Sequence, residues 1–190
     1  MKQIWFTSDN HFFHKSILKF ARETRHGDSV EEMNELMIEK WNDTVALSDD
    51  VYSLGDFSFG SARKTLEILK RLKGRIHLIR GNHDHWIDQG SEGREAAGFF
   101  EWIRDYKRMS FANVETVMFH YPIYEWEKMH YGSFHLYGHV HGNSTVPGRA
   151  LDVGIDARPQ KDMGLWNFDE IRGLLADREV RTHHGKVAVL

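Results

Sequence analysis

Three short apolar runs, Ile4 to Thr7, Val51 to Leu54 and Ile76 to Ile79, each stop abruptly at a polar loop: Ser8-Asp9, Gly55-Asp56 and Arg80-Gly81-Asn82-His83. Short apolar runs bounded by turn residues read as strands. The stretches between them read as helices. Asp28-Ser29-Val30-Glu31 is a capping-box-like start, followed by Val30, Met33, Met37 and Trp41 at helical spacing. Ser61 to Leu72 places Ala62, Leu66, Leu69 and Leu72 on one face, and Gly74 supplies a stop. Strands alternating with helices predict an α/β fold with helices over sheet faces. In open sheets of that kind, ligands bind beyond the carboxyl ends of the strands. The three polar loops stand at those ends.

Farther along, Glu115 to Phe119, Phe134 to Tyr137 and Leu151 to Val153 read as strands, Asn167 opens a short last helix, and Lys186 to Leu190 reads as a closing strand. The segment from His85 to Phe99 carries Gly90, Gly93 and Gly98 with weak periodicity, which reads as a solvated connection in preference to a cover over a site. The aromatic pairs and triplets Phe57-Phe59 and Phe99-Phe100-Trp102 read as core. No repeat or Pro-rich linker divides the 190 residues, so residues 1–190 are expected to form one domain.

Composition narrows the chemistry. The chain has no cysteine, which rules out disulfides and thiolate zinc sites, while 13 histidines and 28 acidic residues supply nitrogen and oxygen donors for divalent cations. A formal net charge of −3 argues against a long nucleic-acid duplex or an anionic membrane as partner. The N-terminus runs straight into a strand, and no run reaches the roughly 18 apolar residues of a membrane span. A soluble cytoplasmic protein with no membrane partner is expected.

Five short elements then stand in order: Asp9-Asn10-His11, Gly55-Asp56, Gly81-Asn82-His83-Asp84, His120 and Gly138-His139-Val140-His141. Singly, each is better read as a turn or a satisfied polar group. Jointly and in this order, they resemble the calcineurin-like metallophosphoesterase superfamily, whose signature is Asp-x-His, Gly-Asp, Gly-Asn-His-Asp/Glu, His and Gly-His-x-His. The match spans residues 9 to 141, and Ser8-Asp9-Asn10-His11-Phe12-Phe13-His14 with Val153-Gly154-Ile155-Asp156 resembles a subgroup of small bacterial and phage members.

The resemblance implies a four-layer sandwich of two mixed β-sheets flanked by helices, with two divalent metal ions at one edge. It assigns Asp9, His11 and His141 to one ion, Asn82, His120 and His139 to the other, and Asp56 to both. Manganese, iron and zinc all suit such donors. It further implies hydrolysis of phosphomonoesters or phosphodiesters by a hydroxide bridging the metals, with His83 outside the metal shell as general acid. By analogy the substrate is a small phosphate ester or nucleotide. In His139-Val140-His141, an extended backbone would point both rings the same way. Glycines at 55, 81 and 138 are expected to permit abrupt turns close to the ions.

One departure separates the chain from the superfamily's protein Ser/Thr phosphatases. Phe59 stands where those enzymes carry the carboxylate that orients the catalytic histidine, which leaves Asp84 as one alternative for orienting His83. His14 reads either as a substrate contact or as a helix cap, and Arg22, Arg25, Arg80 and Arg94 are candidate phosphate clamps, Arg80 foremost. His130, His135, His183 and His184 have no motif context. The rival reading from another class is a non-catalytic metal-binding scaffold for protein interactions, and a third is a mononuclear metal module.

Overall fold

A computed structural model describes residues 2–182; the strand expected over Lys186 to Leu190, together with His183 and His184, lies outside the described residues. The elements in chain order are β1 (Ile4–Thr7), α1 (Ile17–Phe20), α2 (Val30–Thr44), β2 (Asp50–Ser53), α3 (Ala62–Leu69), β3 (Arg75–Ile79), α4 (Gly90–Ala97), β4 (Phe100–Arg104), β5 (Tyr106–Phe111), β6 (Val114–Phe119), β7 (Phe134–Tyr137), β8 (Ala150–Asp152), β9 (Trp166–Asn167) and α5 (Phe168–Ala176). Short 3-10 turns stand at His85–Asp88, Met129–Tyr131 and Ile155–Ala157.

Two mixed sheets result. The first has the order β4-β3-β2-β1-β9, in which β1 to β4 are parallel and β9 runs antiparallel to β1. The second has the order β5-β6-β7-β8, with β5 antiparallel to β6 and the remaining three parallel. Side chains of period two divide each sheet between two cores. Val51, Ile76 and Leu78 face Met33, Met37 and Trp41 of α2 and Leu66 and Leu69 of α3. Phe6, Tyr52 and Ile79 point the other way and meet Met118, Phe134 and Leu136 of the second sheet, with Phe168, Ile171 and Leu175 of α5 in the same cluster. On the far side of the second sheet, Val117, Tyr137 and Ala150 are covered by Trp126, Met129 and Val146. The expected sandwich of two mixed sheets is present, with the α-helical layer over the first sheet and the segment carrying the Met129–Tyr131 turn over the second.

The helices begin where side chains can cap them. Ser29 accepts from the backbone N–H of Glu32, and the Glu32 carboxylate reaches back to the N–H of Asp28. Ser61 does the same for α3 through Lys64. The segment 85–99 differs from expectation, since it forms a 3-10 turn and α4 instead of an irregular connection. Gly93 explains why the sequence concealed this. A Cβ at that position would lie 2.4 Å from the carbonyl oxygen of Ile87 and 2.7 Å from that of Trp86, so close packing imposes a poor helix former. Among the described residues, no helix is long and apolar enough to cross a membrane.

Candidate metal centre

Three parallel strands of each sheet, β1 to β3 and β6 to β8, deliver their carboxyl ends to one edge of the molecule. Backbone hydrogen bonds continue past the strands and weld that edge together. Asp9 N donates to the Gly55 carbonyl at 2.9 Å, His11 N to Asp56 at 2.9 Å and Gly138 N to His120 at 2.9 Å. Ser8 bridges to Gly154, joining the two sheets. Five of the seven predicted ligands adopt left-handed backbone there, with φ of 55° at Asp9, 52° at His11, 52° at Asp56, 71° at His139 and 49° at His141. That conformation costs a non-glycine residue about 1–2 kcal/mol, and strain of this kind collects at functional sites.

The extended backbone expected for His139-Val140-His141 is not what forms. Val140 N donates back to Gly138 at 2.9 Å and Asn143 N to Val140 at 2.8 Å, so the segment is a turn. Gly138 opens the turn, and a Cβ there would fall 1.9 Å from Ser8 Oγ and 2.4 Å from Asp9 Oδ2. Close approach to Asp9, not freedom of φ, is therefore what Gly138 supplies. Gly81 serves likewise against Asp56, and of the three glycines only Gly55, at φ 103°, needs the left-handed region. The turn sends the two histidines to different destinations.

Asp9, His11 and His141 form one cluster and Asp56, His120 and His139 a second, the donor atoms within each lying within 4.8 Å of one another. In the first, Asp9 Oδ1 lies 3.7 Å from His11 Nε2 and 3.9 Å from His141 Nε2. Asp56 Oδ2 stands between the clusters, 3.6 Å from His11 Nε2 and 3.5 Å from His120 Nε2. Asn82 Oδ1 joins the second at 3.0 Å from His120 Nε2. Separations near 3.6 Å are too long for hydrogen bonds, and Asp9 Oδ1 and His11 Nε2 are buried without any hydrogen-bond partner. Orphaned buried donors and acceptors of this kind demand an explanation. A divalent cation held by nitrogen and oxygen fits them.

Ring orientation agrees. His120 Nδ1 lies 2.7 Å from the Leu54 carbonyl oxygen and His141 Nδ1 lies 2.7 Å from Asp156 Oδ2. Each must donate there, which leaves Nε2 of each ring as the lone pair facing inward. Burial pushes the Asp56 carboxyl upward, but the imidazoles of His120 and His11 beside it and the N–H donated by His83 outweigh that and hold the group at about 2. Asp56 is accordingly ionised and ready to neutralise positive charge.

His83 stands at the mouth. Its N–H donates to Asp56 Oδ1 at 2.8 Å, its Nε2 lies 4.0 Å from Asp56 Oδ2, and its side chain is 42% exposed. Asp84 does not orient it. That carboxylate is fully buried and accepts from the backbone of Asp56, Phe57 and Gly81 and from Trp86 Nε1. Burial pushes it up to about 6 against the pull of those donors. The His83 ring instead packs on Phe59, with centroids 4.4 Å apart. Phe57 is core, as expected. Phe59 is not: it is 37% exposed and also stacks on His14 at 3.9 Å and 7°. A ring thus occupies the place of the missing carboxylate.

A calcineurin-like phosphoesterase superfamily domain matches residues 3–147. The chain belongs to that superfamily. Among its relatives is an uncharacterized protein of Methanocaldococcus jannaschii, 45% identical over 86 residues that make up 44% of this chain and 48% of that protein. The match therefore spans about half of that relative's length. The Gene 66 protein of Mycobacterium phage L5 is 26% identical over 185 residues, covering 83% of this chain and 88% of its own. A protein of unknown function from Aquifex aeolicus shares the fold, with a TM-score of 0.69 at 22% identity over 92% of this chain and all of that one.

For this calcineurin-like chain, the structure also places residues that motif reading passed over. Arg25, considered as a phosphate clamp, is only 3% exposed, and its donors go to Asp156 and to the carbonyl oxygens of Asp9 and Asn10. It is structural. Asp156, noticed only as the end of a Val-Gly-x-Asp turn, accepts from His141, Arg25 and Thr24. Arg80 pairs with Asp88 and borders a cleft with Asn82 and Tyr121. His14 Nδ1 faces His11 Nδ1 at 3.1 Å, and His14 shares with Phe20, Arg22, His83 and His141 a cleft of about 650 Å³. Arg94 lies in the last turn of α4. His135 is buried in β7, accepting from Ile123 N and facing the Val117 carbonyl.

Proposed function

We propose that this protein is a phosphoric ester hydrolase that works with two divalent cations, drawn from manganese, iron or zinc, on small phosphomonoesters or phosphodiesters of nucleotide type. Asp9, His11 and His141 would hold one cation, Asn82, His120 and His139 the other, and Asp56 both. The observation that carries this reading is the convergence of two sulfur-free clusters, Asp9 with His11 and His141 and Asp56 with His120 and His139, with Asn82 beside the second and with buried Asp9 Oδ1 and His11 Nε2 left without a hydrogen-bond partner. When bound, such a pair of cations supplies Lewis acidity toward water and toward phosphoryl oxygens.

The chain's own residues contribute the rest. Asp56, ionised across the neutral range, offsets the charge of the bound pair. The inward lone pairs of His120 and His141 are fixed by donation from their opposite nitrogens to Leu54 and Asp156. His83, anchored through its backbone to Asp56 and shelved on Phe59, presents a partly exposed imidazole that delivers a proton to the leaving oxygen. General acid help of that kind contributes about 10²- to 10⁴-fold. A net charge of −3 fits a small substrate better than a long duplex.

The test compares p-nitrophenyl phosphate with bis-p-nitrophenyl phosphate on the manganese-loaded protein, with Asp56→Asn as control. Hydrolysis of either ester that disappears in the variant is the expected outcome. Two bound cations with no hydrolysis of any phosphate ester would favour the scaffold reading, and a single bound cation the mononuclear one.

A further inference from the structure

The two donor clusters are not supported alike. Behind His141 stands Asp156, whose side chain is 3% exposed and whose two oxygens are both occupied. Arg25 donates Nε to Oδ1 and Nη2 to Oδ2, each at 2.8 Å, and Thr24 Oγ1 donates to Oδ1. The same guanidinium continues to the carbonyl oxygens of Asn10 and Asp9, and so grips the strained backbone that presents Asp9. One buried clamp, which joins Arg25 to Asp156 across 131 residues of sequence, therefore ties the first motif of the site to the last.

The second cluster is held differently: buried Asp84 fixes the backbone of Asp56 and Gly81, but among the described residues no carboxylate backs the outer ring nitrogen of His120 or His139. His120 is backed by the neutral carbonyl of Leu54, and the exposed His139 ring rests against Tyr121 at 4.6 Å and His120 at 5.2 Å, with no hydrogen bond among the described residues to orient it. The donor charge differs as well. The first cluster holds a carboxylate of its own in Asp9 besides access to Asp56, whereas the second has Asp56 alone with the neutral Asn82 amide.

Resting on the two-cation reading above, we propose that the Thr24–Arg25–Asp156 clamp makes the Asp9–His11–His141 position the tighter cation site, filled before the other, and that Asp156 is the positioning residue for His141. Arg25 balances the Asp156 charge, so the clamp acts chiefly by preorganisation. The ring and the Asp9 backbone are ordered before a cation arrives, and less ordering cost is set against binding. The second position recruits an exposed ring and spends more of its binding free energy holding it.

Calorimetric titration of manganese ions into the metal-free full-length protein tests this. The unsubstituted chain is expected to take up two equivalents in two resolved steps. Asp156→Asn is expected to weaken the tighter step about 10- to 100-fold, the range for outer partners of metal-bound histidines, and to leave the weaker step in place. Thr24→Val, which removes one donor without removing charge, is expected to shift the same step by less. A merely structural role would weaken both steps together. Equal loss at both positions, or no change at either, overturns the proposal, and Thr24→Val decides on the same criterion if Asp156→Asn does not fold. Absence of manganese binding in the unsubstituted chain would overturn the two-cation reading and this inference with it.

Discussion

His83 owes its placement to two neighbours on opposite sides, Asp56 through the backbone and Phe59 through the ring. Neither depends on the imidazole nitrogens, which stay free for chemistry. Removing the ring in His83→Ala should therefore leave manganese stoichiometry unchanged while lowering kcat about 10²- to 10⁴-fold; a variant that keeps full turnover would sink the general-acid role. At this scale the donors were legible in the sequence because short motifs carry their chemistry within three or four residues. The clamp behind them was not. Arg25 and Asp156 are remote in sequence, and only the fold shows that their charges are spent on each other.

At the scale of elements, local signals and tertiary demands diverge. The first three strands and α2 were readable because apolar runs, helical spacing and a cap all agree there. Ser29 supplies the cap that the sequence advertised, at a helix end that carries none of the site motifs. Ser29→Ala should cost about 1 kcal/mol in chemical denaturation and leave phosphate-ester hydrolysis untouched. β5 escaped notice because only Phe111 of Tyr106–Phe111 is buried and Lys107, Arg108 and Ser110 break up the apolar residues, so no apolar run announces the strand. α4 was hidden by Gly90 and Gly93, the second of which exists to let the 3-10 turn approach. In α4 a contact with the preceding turn selected a residue that local propensity would not.

For the molecule as a whole, one histidine with no part in the site contributes to the loss of stability in acid. His135 accepts the Ile123 N–H at Nε2 and faces the Val117 carbonyl with Nδ1, so its neutral form is fully used. Burial holds it down at about 4, against an ordinary value of 6.5. Because the folded-state value is depressed, its contribution to stability is complete above about pH 6.5 and is lost as pH falls toward 4, since the unfolded chain takes up the proton first. Between pH 7.5 and 5 this amounts to about 2 kcal/mol. Urea denaturation of His135→Gln beside the unsubstituted protein should show that much less pH dependence in the variant; parallel curves would exclude the residue as the cause.

The left-handed residues at the site give the molecule a slope to stand on. Asp9, His11, Asp56, His139 and His141 would each rest more comfortably as glycine, so exchanges that dismantle the donor set would relieve the backbone that presents it. Decay from a metal-holding centre to an inert scaffold is in this sense downhill, one position at a time, with the sheets untouched. An intact set of donors marks this chain as standing at the top.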